Sequence, residues 1–248
     1  MRQALHAEWT KLRTDAAIAW LVLASVAPTV ALSAAVAAAR TAGSADLDTT
    51  KLSLVGVDLG QATVAILGVT VIGGEYATGM IRTTLTAIPR RIAVLATKAA
   101  TLTAVVVIAA TVAVLGSLLA AGLVLPSGVP LSLTAGSTVR AAAGSVLYLA
   151  LIALLSLGVA FAVRDSAVAI GVVLSLLYLF PILIQAVSDQ DWQRHLQQIA
   201  PMNAGLAIQN TVHLRGLPIS PWSGLGVLAA WAAAALVLGG LTLRLRDA

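Results

Sequence analysis

The sequence predicts an all-α protein that crosses a membrane six times. Three observations carry this prediction. Hydrophobic residues make up 59% of the 248 residues, and charged residues make up only 10%, against about a quarter in a typical soluble domain. The uncharged stretches also reach the roughly 20 residues that a helix needs to span a bilayer. An ordinary soluble globule is therefore excluded, and because no hydrophilic stretch of domain size occurs, we expect one membrane domain over residues 1–248.

Six apolar blocks have the length of a spanning helix. Together they contain a single charged residue, Asp58. Because backbone groups inside a bilayer must be hydrogen-bonded within their own segment, each block is predicted to be a helix. The predicted spans run over residues 16–39, 53–74, 99–125, 141–163, 166–187 and 222–243.

Lysine and arginine predict the orientation of these spans. With the N-terminus inside, ten of the 15 basic residues are cytoplasmic, as the positive-inside rule requires. Both termini are then cytoplasmic, and we expect the chain in the plasma membrane, in contact with its lipids. The net charge of +5 does not indicate nucleic acid as a partner, because aromatic residues are only 4% and the basic residues alternate with apolar blocks.

The first apolar block has a competing interpretation as a secretory signal. A basic start and small residues near a candidate cleavage point are typical of such signals. The block over residues 16–39 exceeds the roughly 7 to 15 apolar residues expected of a signal, so an uncleaved span is favoured.

The segment before the first span, residues 1–15, is predicted to be an amphipathic helix on the inner membrane surface. Its apolar residues Leu5, Trp9 and Leu12 recur at helical spacing. The alternative is a short frayed tail, because isolated helices of this length are marginal in water. The residues assigned to the surface helix are Glu8, Trp9, Lys11 and Arg13.

The connections after the fourth span differ in length. Only Arg164 and Asp165 separate the fourth and fifth spans, which are therefore predicted to be antiparallel neighbours. The loop over residues 188–221 is long and is predicted to form an amphipathic helix on the outer surface, a turn and a second short segment. Its apolar residues at helical spacing are Trp192, Leu196 and Ile199.

The most informative stretch lies between the second and third spans, on the predicted cytoplasmic side. Ile81, Leu85 and Ile88 form one apolar face of a short helix, and Pro89 ends it or starts the next. A helix at the tip of a membrane hairpin suits a groove on a soluble partner. A basic loop that only fixes topology or contacts anionic lipid is the other interpretation, and the residues alone favour neither.

This stretch resembles the E-x-x-x-G-x-x-R-x-x-L-x-x-x-P-R-R pattern of type 2 ATP-binding-cassette (ABC) transporter permeases. Residues 7–14 are similar to their N-terminal juxtamembrane helix, and the layout of spans is similar over the whole chain. The resemblance implies a coupling helix, which docks into a groove of the ATPase subunit and transmits its closure to the membrane helices. The residues assigned to this role are Glu75, Gly79, Arg82, Leu85, Ile88, Pro89, Arg90 and Arg91.

The resemblance also implies a function and a set of partners. The chain would be the permease subunit of an exporter for a drug, an antibiotic or a lipid-like compound, and would pair with a second copy or a paralogue. ATP and Mg would bind to a separate cytoplasmic ATPase, because this chain has no P-loop of the form G-x-x-x-x-G-K-S/T.

The chain is not expected to be an enzyme itself. It has neither the H-E-x-x-H motif of zinc hydrolases nor the G-x-S-x-G nucleophile elbow. The histidines His6, His195 and His213 are too scattered to supply the converging ligands of a metal site. A membrane scaffold or sensor subunit that binds a cytoplasmic regulator through the same hairpin is the alternative function.

Asp58 is the charged residue inside a predicted span, with Gln61 one turn deeper. It lies about 8 Å from the predicted outer end of its helix, at 1.5 Å per residue. The functional interpretation is a cation or hydrogen-bond site on a substrate path formed by Asp58 and Gln61. The interpretation favoured by the shallow depth is an interfacial carboxylate that reaches water or pairs with Lys51, seven residues earlier on the same helix face.

Gly56 and Gly60 form a small-x-x-x-small pair on the second span. Such pairs let two helix backbones approach closely inside a membrane. Packing within one subunit is favoured over packing across a dimer.

Overall fold

The structure is a computed structural model that describes residues 16–39, 48–87, 91–125, 134–212 and 214–245. Within these ranges all regular secondary structure is helical, and six helices are long and apolar enough to cross a membrane. The predicted all-α protein with six spans is confirmed. The predicted surface helix with Glu8, Trp9, Lys11 and Arg13 lies outside the described residues, as do Ile88, Pro89, Arg90 and the side chains of Arg82 and Leu85.

The helices are numbered here in chain order. The continuous spans are α1 (Ala16–Ala38), α3 (Val57–Ala77), α5 (Arg91–Val124), α6 (Gly136–Val163) and α11 (Pro221–Leu245). The fifth span consists of α7 (Ser166–Leu174), a π-helical turn (Ser175–Leu179) and α8 (Phe180–Gln185). The short helices outside the spans are α2 (Thr49–Ser53), α4 (Met80–Ala87), α9 (Gln190–Ile199) and α10 (Pro201–Leu206).

Three helix starts differ from those predicted. Helix α5 begins at Arg91 rather than at residue 99, and its Lys98 is fully buried and ion-paired with Glu75 of α3. Helix α6 begins at Gly136 rather than at residue 141, and its Arg140 donates a hydrogen bond to the carbonyl of Asn210. Helix α3 begins at Val57 rather than at residue 53, because α2 and a short turn precede it. At the starts of α5 and α6, a charge at the end of an apolar block therefore does not mark the end of its helix.

Helix α6 lies at the centre of the bundle. It packs against α3, α5, α7 and α11, while α1 packs against α3 and α5. The core around α6 includes the fully buried side chains of Tyr148, Ile152 and Phe161. Apolar contact gives helices little driving force in lipid, so close backbone approach and polar contacts acquire more weight.

The glycines of α3 provide such close approaches. A Cβ atom at Gly56 would lie 1.9 Å from the carbonyl oxygen of Thr29, and one at Gly60 would lie 2.3 Å from the Thr29 hydroxyl. The hydroxyl of Ser33 also accepts a hydrogen bond from the amide of Gly56 at 3.0 Å. Packing of this pair within one subunit, against α1, is confirmed.

The two ends of the bundle are built differently. Helix α1 begins and α11 ends at the same end, called here the terminal end, which also carries α4 and the turn between α6 and α7. In that turn Arg164 is left-handed with φ of 64°, and the Asp165 carboxylate accepts a hydrogen bond from the Val168 amide at 2.8 Å. The fourth and fifth spans are therefore antiparallel neighbours, as predicted.

The opposite end carries α2, α9 and α10. Asp189 caps α9, because its carboxylate accepts hydrogen bonds from the backbone amides of Asp191 and Trp192. After a one-residue break, α10 begins at Pro201. The indole of Trp231 in α11 donates to the carbonyl of Ile199 at 2.9 Å, which fixes the end of α9 against the bundle. The predicted sequence of helix, turn and second short segment is confirmed.

Candidate functional site

Helix α4 stands at the terminal end, between α3 and α5. Thr78 closes α3, and Gly79 follows with φ of +70°. This left-handed conformation is accessible to glycine and strained for other residues, and it commonly ends a helix. Gly79 therefore supplies the sharp turn that separates α4 from the span before it.

The two sides of α4 have different surroundings. Ile81 is buried in the hydrophobic core of the bundle, whereas Met80 is 48% exposed and Thr83 and Thr86 are also exposed. One side of α4 is thus anchored on the spans, and the other side faces away from the bundle.

A buried ion pair lies at the base of α4. The ammonium of Lys98 in α5 lies 2.9 Å from a carboxylate oxygen of Glu75 in α3, and the two side chains are 0% and 4% exposed. Buried charges are stable only when they are paired and hydrogen-bonded. The pair therefore joins the second and third spans at the point where the α4 hairpin leaves them.

Sequence reasoning assigned Glu75 to the hairpin but treated Lys98 only as a basic residue before the third span. The sequence offers one signal for this contact. An acidic residue directly follows the second apolar block and a basic residue directly precedes the third, so opposite charges flank the same hairpin. Hydropathy alone cannot show that two such residues meet.

Two arginines hold the last turn of α11. Arg91 donates to the carbonyl of Leu243 at 2.6 Å, and Arg164 donates to the carbonyl of Thr242 at 2.7 Å. The final carbonyls of a helix have no partner within the helix, and cations there also interact favourably with the helix dipole. The Arg164 guanidinium lies 5.8 Å from the ring centroid of Tyr76 in α3, within the range of a cation–π contact.

These contacts connect four spans at the terminal end. Glu75 and Tyr76 belong to α3, Lys98 and Arg91 to α5, and Arg164 follows α6. Their partners on α11 complete a polar network, called here the terminal network. The terminal network thus joins α3, α5, α6 and α11 beside the base of α4.

The residues predicted for a substrate path lie at the opposite end and are not equivalent. Asp58 lines a cavity of about 340 Å³, and its Oδ1 atom is buried without a hydrogen-bond partner among the described residues. Gln61 is fully buried and accepts a hydrogen bond from the Tyr148 hydroxyl, while its amide group lies 3.4 Å from the sulfur of Met202. Asp58 thus faces a cavity, and Gln61 is a partnered core residue.

Lys51 does not share a helix with Asp58. The turn between α2 and α3 separates them, and the Lys51 ammonium donates to the side-chain oxygen of Asn210 at 3.1 Å. Both residues nevertheless line the same cavity.

Asp48 ties α2 to the long loop at the opposite end. Its carboxylate accepts hydrogen bonds from the amide and the hydroxyl of Thr211, from the Val212 amide at 3.1 Å and from the Lys51 amide at 3.0 Å. Partial burial raises the pKa of Asp48, but these hydrogen bonds outweigh burial and hold it below the usual 3.8. Sequence reasoning missed this residue, although an aspartate directly before a short helix is a common N-cap.

Comparisons with known proteins agree with this layout. A family model described as ABC-2 family transporter protein matches residues 4–182. The match begins in the segment before α1, includes α4 and ends within the fifth span. No curated protein matches the chain.

Proposed function

The chain belongs to the family of ABC-2 transporter proteins, and from this premise we propose that it is the permease subunit of an ABC exporter. The cargo is a hydrophobic or amphiphilic compound of the drug, antibiotic or lipid-like kind. A separate cytoplasmic ATPase binds ATP and Mg and supplies the energy. Two copies of this chain, or this chain and a paralogue, form the pathway.

The attachment of α4 carries this proposal. The helix is set off from α3 by Gly79, is anchored by the buried side chain of Ile81, and leaves the bundle beside the Glu75–Lys98 ion pair. A short helix that is fixed on one side and exposed on the other can fit a groove on a soluble partner. In this role the exposed side of α4, which carries Met80, Thr83 and Thr86, contacts the ATPase, and Arg82 and Arg90 lie near its acidic residues, whereas Arg91 is engaged with α11.

The terminal network supports transmission of the ATPase motion. Closure of an ATPase pair displaces α4, and Glu75 and Lys98 carry the displacement into α3 and α5 together. Arg91 and Arg164 extend it to the last turn of α11. Coupling of this kind requires a physically connected element that has two arrangements.

The proposed orientation places the terminal end in the cytoplasm. It follows the excess of basic residues that the sequence assigns to that side. The ATPase would then meet α4 where ATP is available, and the cavity at Asp58 would face the outside.

The test begins with purification of the full chain from its native membrane in mild detergent. We expect a soluble protein with a P-loop to accompany it. We further expect Arg82→Glu to lower the recovered ATPase by about tenfold and to reduce ATP hydrolysis by the complex, because charge reversal in an interface replaces attraction by repulsion. Arg194→Glu is the control, since it reverses the charge of an exposed arginine at the opposite end of the bundle.

Recovery of no P-loop protein, or recovery of one whose amount and ATP hydrolysis are unchanged in Arg82→Glu, would contradict the proposal. A regulator without a P-loop that binds through the hairpin would instead indicate the scaffold or sensor function.

A further inference from the structure

The cavity at the opposite end differs in its chemistry from two larger grooves between the spans. Grooves of about 750 and 630 Å³ between the spans have almost entirely apolar linings. The cavity of about 340 Å³ is instead enclosed by the start of α3, the end of α2 and the loop that contains α9 and α10. Its polar lining residues are Lys51, Asp58, Gln197, Asn203, Gln209 and Asn210.

Asp58 is held in a fixed position beside this cavity. It lies in the first turn of α3, and its backbone carbonyl accepts a hydrogen bond from the Tyr178 hydroxyl at 2.6 Å. Tyr178 belongs to the π-helical turn of the fifth span, and such turns are rare and occur often at functional sites. The Tyr178 hydroxyl thus bonds the backbone carbonyl of Asp58. The side-chain Oδ1 atom of Asp58 is buried and has no hydrogen-bond partner among the described residues.

A buried carboxylate oxygen without a hydrogen-bond donor is energetically costly. The presence of such an oxygen here favours a ligand that supplies a donor. One amide of the lining is already engaged, since Gln209 donates to the Ser145 hydroxyl at 3.1 Å. The neighbouring Gln198, which does not line the cavity, donates to the carbonyl of Pro218 at 2.8 Å. These bonds use amide N–H groups, so amide oxygens remain as neutral acceptors, but the carboxylate of Asp58 is the charged acceptor of the lining and the stronger partner for a cationic donor.

The two charged residues of the lining have opposite signs. Asp58 attracts a cation, and Lys51, which is exposed and donates to Asn210, attracts an anion. A purely cationic ligand is repelled by Lys51, and a purely anionic one by Asp58. A ligand that carries both charges matches the lining, and the volume of the cavity lies in the range of small-molecule sites.

We propose that this cavity binds zwitterions that carry a primary ammonium group and an anionic group, such as phosphoethanolamine. The ammonium donates to Asp58, and the anionic group faces Lys51. The same chemistry occurs in a free metabolite and in the head group of an ethanolamine phospholipid. The site concerns binding at this end alone and does not depend on docking of α4 to an ATPase.

The test uses the full chain in nanodiscs that lack ethanolamine lipid, titrated calorimetrically with soluble probes. Phosphoethanolamine should bind about tenfold more tightly than phosphocholine, which has no N–H donor, and than ethanolamine or glycerol phosphate, which each carry charge of only one sign. Asp58→Asn should weaken phosphoethanolamine binding about tenfold. Asp191→Asn is the matched control, because it removes an exposed carboxylate at the same end that does not line the cavity.

A second arm identifies the source of the ligand. Nanodiscs with equal amounts of phosphatidylethanolamine and phosphatidylcholine are prepared, and the lipids retained by the chain are counted by native mass spectrometry. Selective retention of phosphatidylethanolamine, lost in Asp58→Asn, indicates a lipid head group; binding of soluble phosphoethanolamine alone indicates a free metabolite. Either result supports the zwitterion site.

If Asp58→Asn does not fold, Lys51→Gln provides a second test of the proposed site. Lys51 is exposed, so this variant should fold and should abolish the preference for phosphoethanolamine over ethanolamine. Equal binding of all four soluble probes together with no lipid selectivity, or unchanged phosphoethanolamine binding in the variants of Asp58 and Lys51, would overturn the proposal. Loss of ATPase recovery in Arg82→Glu would leave this outcome unaffected, so the two proposals fail separately.

Discussion

The two ends of this bundle use the same kinds of polar residue for different purposes. At the terminal end, Glu75 and Lys98 are buried and point at one another. At the opposite end, Lys51 and Asp58 line one cavity without sharing a helix, and one oxygen of Asp58 has no partner among the described residues. Charges that are paired across helices connect those helices, whereas charges around a cavity are available to a ligand.

The bilayer explains why the polar ends matter so much. Apolar spans gain little from contact with one another when lipid is equally apolar. Backbone contacts at glycine and polar contacts at the ends therefore decide which spans stay together. The ion pair and the two arginines that donate to the last turn of α11 perform this task at the terminal end, and hydrogen bonds from loop residues perform it at the other.

The largest expected effect comes from breaking the ion pair. Glu75→Gln should lower the free energy of unfolding by about 3 kcal/mol, because it removes the carboxylate from beside a buried ammonium. The measurement is denaturant unfolding of the purified chain in micelles, followed by circular dichroism. ATPase coupling, measured in the same variant, should also fall because α3 and α5 are no longer connected beneath α4.

The double variant Glu75→Gln/Lys98→Met separates charge from packing. Replacing both members of a buried pair by neutral groups is often close to neutral for stability, so the double variant should recover most of the loss while coupling stays low. A single variant within about 0.5 kcal/mol of the natural chain would mean that the pair does not connect the two spans.

A smaller effect is expected from a backbone contact at the opposite end. A Cβ atom at Gly224 of α11 would lie 1.9 Å from the carbonyl oxygen of Ala204 in α10. Gly224→Ala should therefore destabilise the chain by about 2 kcal/mol, since backbone cannot rotate aside. Gly226→Ala is the control, because nothing lies within 4 Å of a Cβ atom there, and it should be neutral or slightly stabilising.

The same two variants sharpen the contrast between the ends. If Gly224→Ala also weakens phosphoethanolamine binding, the position of α10 against α11 shapes the cavity that Asn203 lines. Equal stability of the two alanine variants would contradict the close packing of α10 on α11.

Much of the fold can be predicted from the sequence because hydropathy is a property of each segment by itself. A long apolar block forms a helix in a membrane whatever its neighbours are, so all six spans and the helix at Trp192 are predicted correctly. The contact of Gly56 with α1 also has a local signal, since small residues four apart mark one helix face.

The contacts between segments have no such signal. The sequence predicts Lys98 outside the third span because a lysine is ordinarily exposed to water. Its ion pair with Glu75 across the hairpin is what permits its burial. The predicted pairing of Lys51 with Asp58 assumed one continuous helix, which the turn between α2 and α3 interrupts. Pairing depends on which segments meet in space, and neither periodicity nor composition records that.

The smallest expected effect concerns Asp48. Its pKa is held below the usual value by hydrogen bonds from Thr211, Val212 and Lys51, despite partial burial. A carboxylate whose pKa is lower in the folded chain stabilises the fold fully above about pH 4 and loses this contribution as the pH falls through the folded pKa. Asp48→Asn should therefore cost about 1 kcal/mol at pH 7, and its difference from the natural chain should shrink in unfolding curves recorded below about pH 4. A pH-independent difference for Asp48→Asn would mean that the ionised carboxylate is not what holds the loop to α2.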